Sequence, residues 1–423
     1  MSYKAKFTLL ATLFSLVLFF SLQAQRDTLD YLQECRLRAG LPNFFARLKQ
    51  GDSVRIGYLG GSITAANGGW RDQSMQWFKQ QYPAAKISQI IAGVGGTGSD
   101  LGVFRLQRDV LQFRPHLVFV EFAVNDGSGR TSHQAMEGIV RQIWKNDPYT
   151  DICFVYTIAG NMLDTLRQGR LFGSMLAMEH IAQHYSIPSI QLGLDVLKLM
   201  EEGKLVFNGK PEDYPGKLVF TGDNVHPNTH TGHRLYTEAI ARSMKIMMNK
   251  SGAMQHALKD PYTIDNWEEA QMIPVNELLM SGNWTDLAKT GDTVARTYRV
   301  KYPVLLKSNE PGASLTIRFN GRLVGMSDII GPDCGQYAVK IDNGPEKLFP
   351  RFDRYATYVR ANAFFLPMLE SKEHQIVFKV SDKKLDKMEI LKKGDGVIGD
   401  LKKYEQNACY AGWILLLGTL SKN

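Results

Sequence analysis

Three residues have the types and spacing to do chemistry together: Ser62, Asp223 and His226. Ser62 follows Val54-Arg-Ile-Gly-Tyr-Leu-Gly-Gly61, a short apolar run closed by two glycines. Such a run has the length of a strand buried in a parallel sheet, which would put the serine at the strand's C-terminal edge. Open α/β sheets bind ligands at that edge, and glycines there allow a tight turn and close approach to the backbone. A Gly-Gly turn with a solvated serine explains the same residues, so other stretches must decide. A serine hydroxyl is a poor nucleophile until a base takes its proton, usually a histidine oriented by a carboxylate. Phe220-Thr-Gly-Asp-Asn-Val-His-Pro-Asn228 supplies both groups, with Asp223 three residues before His226 in a Gly- and Pro-flanked loop. Acyl transfer also needs donors aimed at a developing oxyanion. Two stretches offer them: Ile90-Ile-Ala-Gly-Val-Gly-Gly-Thr97, which contains Gly96, and Leu117-Val-Phe-Val-Glu-Phe-Ala-Val-Asn-Asp-Gly127, which ends at Asn125.

In chain order, Gly60-Gly-Ser62, Gly96, Asn125-Asp126 and Asp223-Asn-Val-His226 resemble the four blocks of the SGNH hydrolases, the GDSL-type esterases and lipases. The order and spacing of the blocks, over about residues 53 to 248, are more specific than any one block. The resemblance implies a flavodoxin-like α/β/α hydrolase domain that needs no cofactor. It also implies Ser62 as nucleophile, His226 as base, Asp223 as its partner, and an oxyanion hole made by Ser62, Gly96 and Asn125. Two positions depart from the pattern. Gly61 stands where an acidic residue usually precedes the serine, and Ala123-Val-Asn-Asp126 replaces Gly-x-Asn-Asp. The variant Gly-Gly-Ser-Ile-Thr64 is similar to secreted carbohydrate-active members.

Positioning these groups requires strands that end together. Periodicity predicts strands near Lys86 to Ile91, Leu117 to Phe122, Ile152 to Thr157 and Pro188 to Leu192. Helices are expected near Gln73 to Gln81, Leu101 to Gln112, His133 to Lys145, Leu171 to Tyr185 and Thr231 to Met247, with Asp100 as an N-cap. This alternation argues for a parallel sheet with helices on both faces. Trp70 and Arg71, just past the serine turn, are candidate substrate-binding residues, and Asp126 is expected to cap the turn that follows it. His230 and His233 mimic a metal cluster with His226, and His180 and His184 lie one helical turn apart. Neither group has the further ligand that would complete a tetrahedral set, so no metal is expected.

Residues 1–24, with Lys4 and Lys6 before an apolar run to Leu22, read as a secretory signal peptide. Residues 25–52 read as a lead-in with a short amphipathic helix around Leu41 to Leu48. The 423 residues, 44% hydrophobic and 22% charged, describe an ordinary globular chain long enough for two domains. The formal charge of +8 loses Lys4 and Lys6 with the signal peptide. No Lys/Arg stripe with interleaved aromatics marks a nucleic-acid partner, and after signal cleavage nothing suggests a membrane partner. Cys35, Cys153, Cys334 and Cys409 lack metal or redox spacing; in an exported chain Cys334 and Cys409 are a possible pair, with buried thiols the alternative.

Past residue 250 the pattern changes. Residues 251–283 read as a linker and 284–423 as an antiparallel β-sandwich. Its expected strands are Ala295 to Val300, Val304 to Lys307, Ala313 to Asn320, Gln336 to Asp342, His374 to Val380 and Ala411 to Leu417. Turn signals fall at Asn320-Gly321, Gly331-Pro332 and Asn343-Gly344. The region resembles accessory β-domains attached to secreted SGNH-type carbohydrate esterases. Its aromatics, Phe349, Phe352, Tyr355, Tyr358, Phe364 and Phe365, either stack on sugars or fill a core. The expected function is a secreted or periplasmic serine esterase acting on short acyl, chiefly acetyl, esters of polysaccharides or oligosaccharides. The alternatives are a lipase, a thioesterase or a methyl esterase of an acidic polysaccharide, and, in another class, a non-catalytic carbohydrate-binding protein.

Overall fold

The structure, a computed structural model, describes residues 33–394 and 396–421. The signal segment and the first residues of the lead-in lie outside the described residues. The chain divides into two compact units, the boundary falling between Glu268 and Glu269.

The first unit opens with β1 (Cys35–Arg36), α1 (Pro42–Gln50), β2 (Ser53–Gly60), α2 (Ser62–Ala65), α3 (Trp70–Gln81), β3 (Lys86–Gly93) and α4 (Ser99–Asp109). It continues through β4 (Leu117–Glu121), α5 (Arg130–Asn146), β5 (Asp151–Tyr156), α6 (Leu163–Arg167), α7 (Gly173–Tyr185), β6 (Ser189–Gln191) and α8 (Leu194–Glu201). A two-stranded ribbon, β7 (Leu205–Asn208) and β8 (Leu218–Thr221), precedes the last helix, α9 (Gly232–Met247). The six-stranded sheet runs β1-β6-β5-β4-β2-β3, parallel throughout except for β1. Every residue of β4 and β5 is buried, as expected of strands covered by helices on both faces.

Register is what builds the site. Gly60 at the end of β2 pairs with Gly93 at the end of β3 and with Glu121 at the end of β4. Three strands therefore finish level, and the residues that follow each are thrown onto one edge.

The helix expected around Leu41 to Leu48 is α1, which buries Phe44 and Phe45 on its apolar face. The rest of the expected lead-in is corrected where it is described: Cys35 and Arg36 pair with Ile190 and Ser189 and cover the edge of β6. The expected linker is corrected too. Residues 254–268 are fastened to the first unit rather than linking anything. His256 Nε2 lies 2.7 Å from Asp151 Oδ1, and Glu137 accepts the Tyr262 and Thr263 N–H groups at 2.6 Å each. Ala270–Pro274 is already a strand of the second unit.

The second unit is antiparallel, with an eight-stranded sheet beside a three-stranded one. Its spine, Ser314–Ile330, pairs with Lys372–Val380, Trp413–Leu420 and Arg360–Phe365. Alternate residues such as Leu315, Ile317 and Phe319 enter a core with Tyr337, Phe378 and Ile414. Two expectations fail here. Thr293–Tyr298 is a helix rather than part of a strand, because Asp292 accepts from the Val294 and Ala295 N–H groups and caps it. Asn320-Gly321 is no turn but part of the spine, where a register shift between Gly321 and Leu323 absorbs the glycine. Phe352 is buried, and Phe349 and Phe364 pack on the core, while Tyr355 and Tyr358 are exposed. All four cysteines are free thiols, with Cys153, Cys334 and Cys409 buried.

Candidate active site

Ser62 begins α2, one residue past the turn that ends β2. His226 Nε2 lies 2.8 Å from Ser62 Oγ, and His226 Nδ1 lies 2.6 Å from Asp223 Oδ2. With Nδ1–H donated to the carboxylate, Nε2 is left as the acceptor facing the serine hydroxyl. The Asp223 and His226 side chains are about half exposed, so substrate and water can reach them.

The Asp223 loop is ordered by its own donors. Asp223 Oδ1 accepts from the Thr221 hydroxyl and from the Val225 and His226 N–H groups at 2.7–3.0 Å. Burial alone would push the Asp223 carboxyl up, but these bonds and the imidazole hold it well below the usual carboxylate range. Asn224, at φ +70°, donates its N–H to Asn208 Oδ1, while the Gly160 N–H donates to the Asn224 carbonyl. Asn208 lies on the β7–β8 ribbon and Gly160 on the loop after β5. Neither was among the sequence candidates, because nothing local to their polar loops announces a contact with residue 224.

Gly96 follows β3 with φ +69°, a left-handed conformation that favours glycine, and is exposed. The same loop passes Ser62: a Cβ on Gly95 would sit 3.7 Å from Ser62 Cβ. Asn125 follows β4, is exposed, and reaches the serine turn from the other side; a Cβ on Gly61 would lie 2.0 Å from Asn125 Oδ1. Ser62, Gly96, Asn125, Asp223 and His226 are therefore gathered at one sheet edge.

Asp126 does not cap its own turn. Its two carboxylate oxygens accept from Ser99 N (2.8 Å) and Ser99 Oγ (2.6 Å), tying the end of β4 to the start of α4. It thus takes the capping role expected of Asp100, and Gly98 occupies the N-cap position. Burial pushes the Asp126 carboxyl up to about 7 despite the Ser99 hydrogen bonds.

Trp70 and Arg71 are corrected as substrate-binding candidates. Trp70 is fully buried against Tyr58 and Phe119, and Arg71 is buried and paired with Asp72. The first turn of α3 packs onto the sheet and carries both side chains inward with it. His233 is also buried, with Nδ1 accepting from Trp70 N. His180 Nδ1 lies 3.3 Å from His133 Nε2, and His184 Nε2 is 2.9 Å from the Asp260 carbonyl. Among the described residues no group of three or more His, Cys, Asp or Glu side chains is placed to hold a metal ion, and no helix is long and apolar enough to cross a membrane.

Two buried charges beneath the turn were missed. Arg105 donates to the Gly60 carbonyl at 3.0 Å and the Ala92 carbonyl at 2.6 Å, and pairs with Asp109 at 3.0 Å. Glu121, fully buried, accepts from Thr64 Oγ1 at 2.8 Å and Thr157 Oγ1 at 2.6 Å. Each had a readable signal: a charge inside an otherwise apolar stretch, Leu117-Val-Phe-Val-Glu-Phe122 and Leu101-Gly-Val-Phe-Arg-Leu106.

Residues 51–235 match the GDSL-like Lipase/Acylhydrolase family. Among solved structures, the chain is similar to a two-domain esterase active on acetylated mannans, solved alone and with mannopentaose. In both comparisons sequence identity is 18% and the TM-score 0.68; 92% of this chain is covered, with 100% of the mannopentaose-bound chain and 99% of the other. Among proteins with curated descriptions, none matches the sequence.

Proposed function

We propose that this chain, whose first unit is a GDSL-type acylhydrolase domain and which is a serine ester hydrolase, removes short acyl groups, chiefly acetyl, from polysaccharides or oligosaccharides outside the cytoplasm. The observation that carries the mechanism is the continuous Ser62–His226–Asp223 hydrogen-bond chain at 2.8 and 2.6 Å. Ser62 Oγ attacks the ester carbonyl carbon while His226 Nε2 takes its proton. The carbonyl oxygen becomes an oxyanion held by the Ser62 N–H, the Gly96 N–H and the Asn125 amide. His226 then returns the proton to the departing sugar oxygen, leaving acyl-Ser62. Water deprotonated by His226 attacks the acyl-enzyme and releases the acid, regenerating Ser62. Asp223 stays ionised, holds the imidazole tautomer, and stabilises the imidazolium each time it forms.

The glycan preference is supported by the two-domain architecture shared with an esterase active on acetylated mannans. The extracytoplasmic location is supported by the N-terminal sequence pattern. Hydrolysis of p-nitrophenyl acetate, butyrate and octanoate, and acetate release from acetylated mannan and xylan, would be measured for the chain and its Ser62→Ala variant. The reading expects acetate esters to be preferred and activity to vanish in the variant. Turnover unchanged by Ser62→Ala would overturn the mechanism; octanoate preference with no acetate release from glycans would overturn the substrate.

A further inference from the structure

We infer that Glu121 is a positioning residue for Ser62, acting through Gly61 and Thr64 to hold the nucleophile turn in its attacking geometry. This rests on Ser62 being the nucleophile. Glu121 ends β4 fully buried, directly across from Gly60 in the sheet register. One carboxylate oxygen accepts from Thr64 Oγ1 at 2.8 Å, the other from Thr157 Oγ1 at 2.6 Å, and the Gly61 N–H donates to the same group. Those three donors come from the serine turn, from the short helix that carries Ser62, and from the residue just past β5. One side chain thus ties the ends of β2 and β5, the two neighbours of β4, to the short helix that begins at Ser62.

The arrangement solves a problem of direction. The turn Gly60-Gly-Ser62 must aim the Ser62 hydroxyl at His226 while its own N–H faces substrate. The N–H of Gly61 bonded inward to Glu121 fixes the Gly60–Gly61 peptide plane, one before the plane that carries the Ser62 N–H. Thr64, bonded to the same carboxylate, fixes the four-residue helix Ser62–Ala65, which is too short to be stable by itself. Burial pushes the Glu121 carboxyl up and the three donors pull it back, so the group is costly to place here. A leucine or valine would fill a strand end flanked by Val120 and Phe122 without that cost; what an apolar residue could not do is grip two segments of the turn.

Thr64→Val, Thr157→Val, Glu121→Gln and Glu121→Ala would be compared in the full chain, well below their melting temperatures. Steady-state kinetics on p-nitrophenyl acetate would be normalised to sites titrated with a fluorophosphonate. Gln keeps one carbonyl acceptor and an amide that the threonine hydroxyls can accept, so Glu121→Gln should stay within about tenfold of the parent kcat. Glu121→Ala and Thr64→Val free the turn and should lower kcat and the fluorophosphonate reaction rate per titrated site by roughly 10- to 100-fold, with KM little changed, as misplacement of a reacting group does. Thr157→Val leaves the turn's own contacts intact and should cost less than Thr64→Val at a comparable loss of melting temperature. If Glu121→Ala does not fold, the two threonine variants decide. Equal per-site rates in Thr64→Val and the parent, or equal effects of the two threonine variants, would overturn the inference while Ser62→Ala remained inactive. An active Ser62→Ala would instead overturn the nucleophile assignment beneath it.

Discussion

At the scale of single residues, the departure at position 61 has a geometric reason. Gly61 has φ −85° and ψ −151°, which an alanine adopts without strain, so the backbone does not require glycine there. Space does: an added Cβ would fall 2.0 Å from Asn125 Oδ1 and 2.9 Å from Asn125 Cγ. Gly61→Ala should therefore leave the fold alone and push the Asn125 amide out of the oxyanion position proposed for it. Removing one oxyanion donor costs about 100- to 1000-fold in kcat. Asn125→Ala should show a loss of that size, and Gly61→Ala a large part of it. Because both act through one amide, the double variant should be scarcely worse than Asn125→Ala alone, whereas independent sites would multiply. Multiplicative losses in that cycle would refute the steric account. The groups that the fold gathers at one sheet edge, Ser62, Gly96, Asn125, Asp223 and His226, were legible in the sequence because each sits in a distinctive glycine- or polar-ended block. Trp70 and Arg71 misled because proximity in sequence to Ser62 says nothing about which face of α3 meets the sheet. Glu121 went unassigned because its partners, Thr64 and Thr157, are 57 and 36 residues away.

At the scale of elements, α4 owes its N-terminal acceptor to the loop after β4, and this carries a pH signature. The folded Asp126 carboxyl titrates near 7, against an ordinary value of 3.8. Between those values the folded chain holds a proton that the unfolded chain has released. The contribution of this group to stability therefore falls as pH rises from about 4 to about 7, and is flat beyond. Asp126→Asn keeps an acceptor for Ser99 N and offers an amide to Ser99 Oγ, but cannot titrate. Urea unfolding at pH 5 and pH 8 should show the parent losing about 1 kcal/mol or more that the variant does not lose, one unit of pKa being worth about 1.4 kcal/mol. The same change in both proteins would exclude Asp126 as the source. The parallel strands of the α/β unit were readable to within a few residues because burial on both faces leaves continuous apolar runs, whereas α8 and the β7–β8 ribbon, short and partly exposed, were not anticipated. The helix at Thr293–Tyr298 was not, since its β-branched and aromatic residues favour strand and only the Asp292 cap reverses the choice.

At the scale of the molecule, the change of composition near residue 250 marks the end of helix periodicity rather than the end of a domain. Residues 254–268 have little periodicity because their cohesion is polar and long-range. Asp151, wholly buried, accepts from the Asn43 amide and the Phe44 N–H and meets His256. Glu137, also wholly buried, takes the Tyr262 and Thr263 N–H groups beside the Tyr185 hydroxyl. Arg141 grips Glu268 and the Lys259 carbonyl, and Trp267 is buried against Phe104. A chain ending at Gly252 would leave two buried carboxylates short of donors and uncover an aromatic surface, whereas one ending at Glu268 would keep both satisfied. Unsatisfied buried charges and lost aromatic burial each cost on the order of 2 kcal/mol or more. The shorter chain should therefore be weaker by roughly 5 kcal/mol and melt about 10 °C or more below the longer one. Glu137→Gln in the shorter chain should recover part of that difference, because a buried neutral amide that has lost the Tyr262 and Thr263 N–H groups costs less than a buried carboxylate that has lost them. Equal melting temperatures for chains ending at 252 and 268 would return the segment to the status of a linker and move the boundary of the hydrolase unit back to the end of α9.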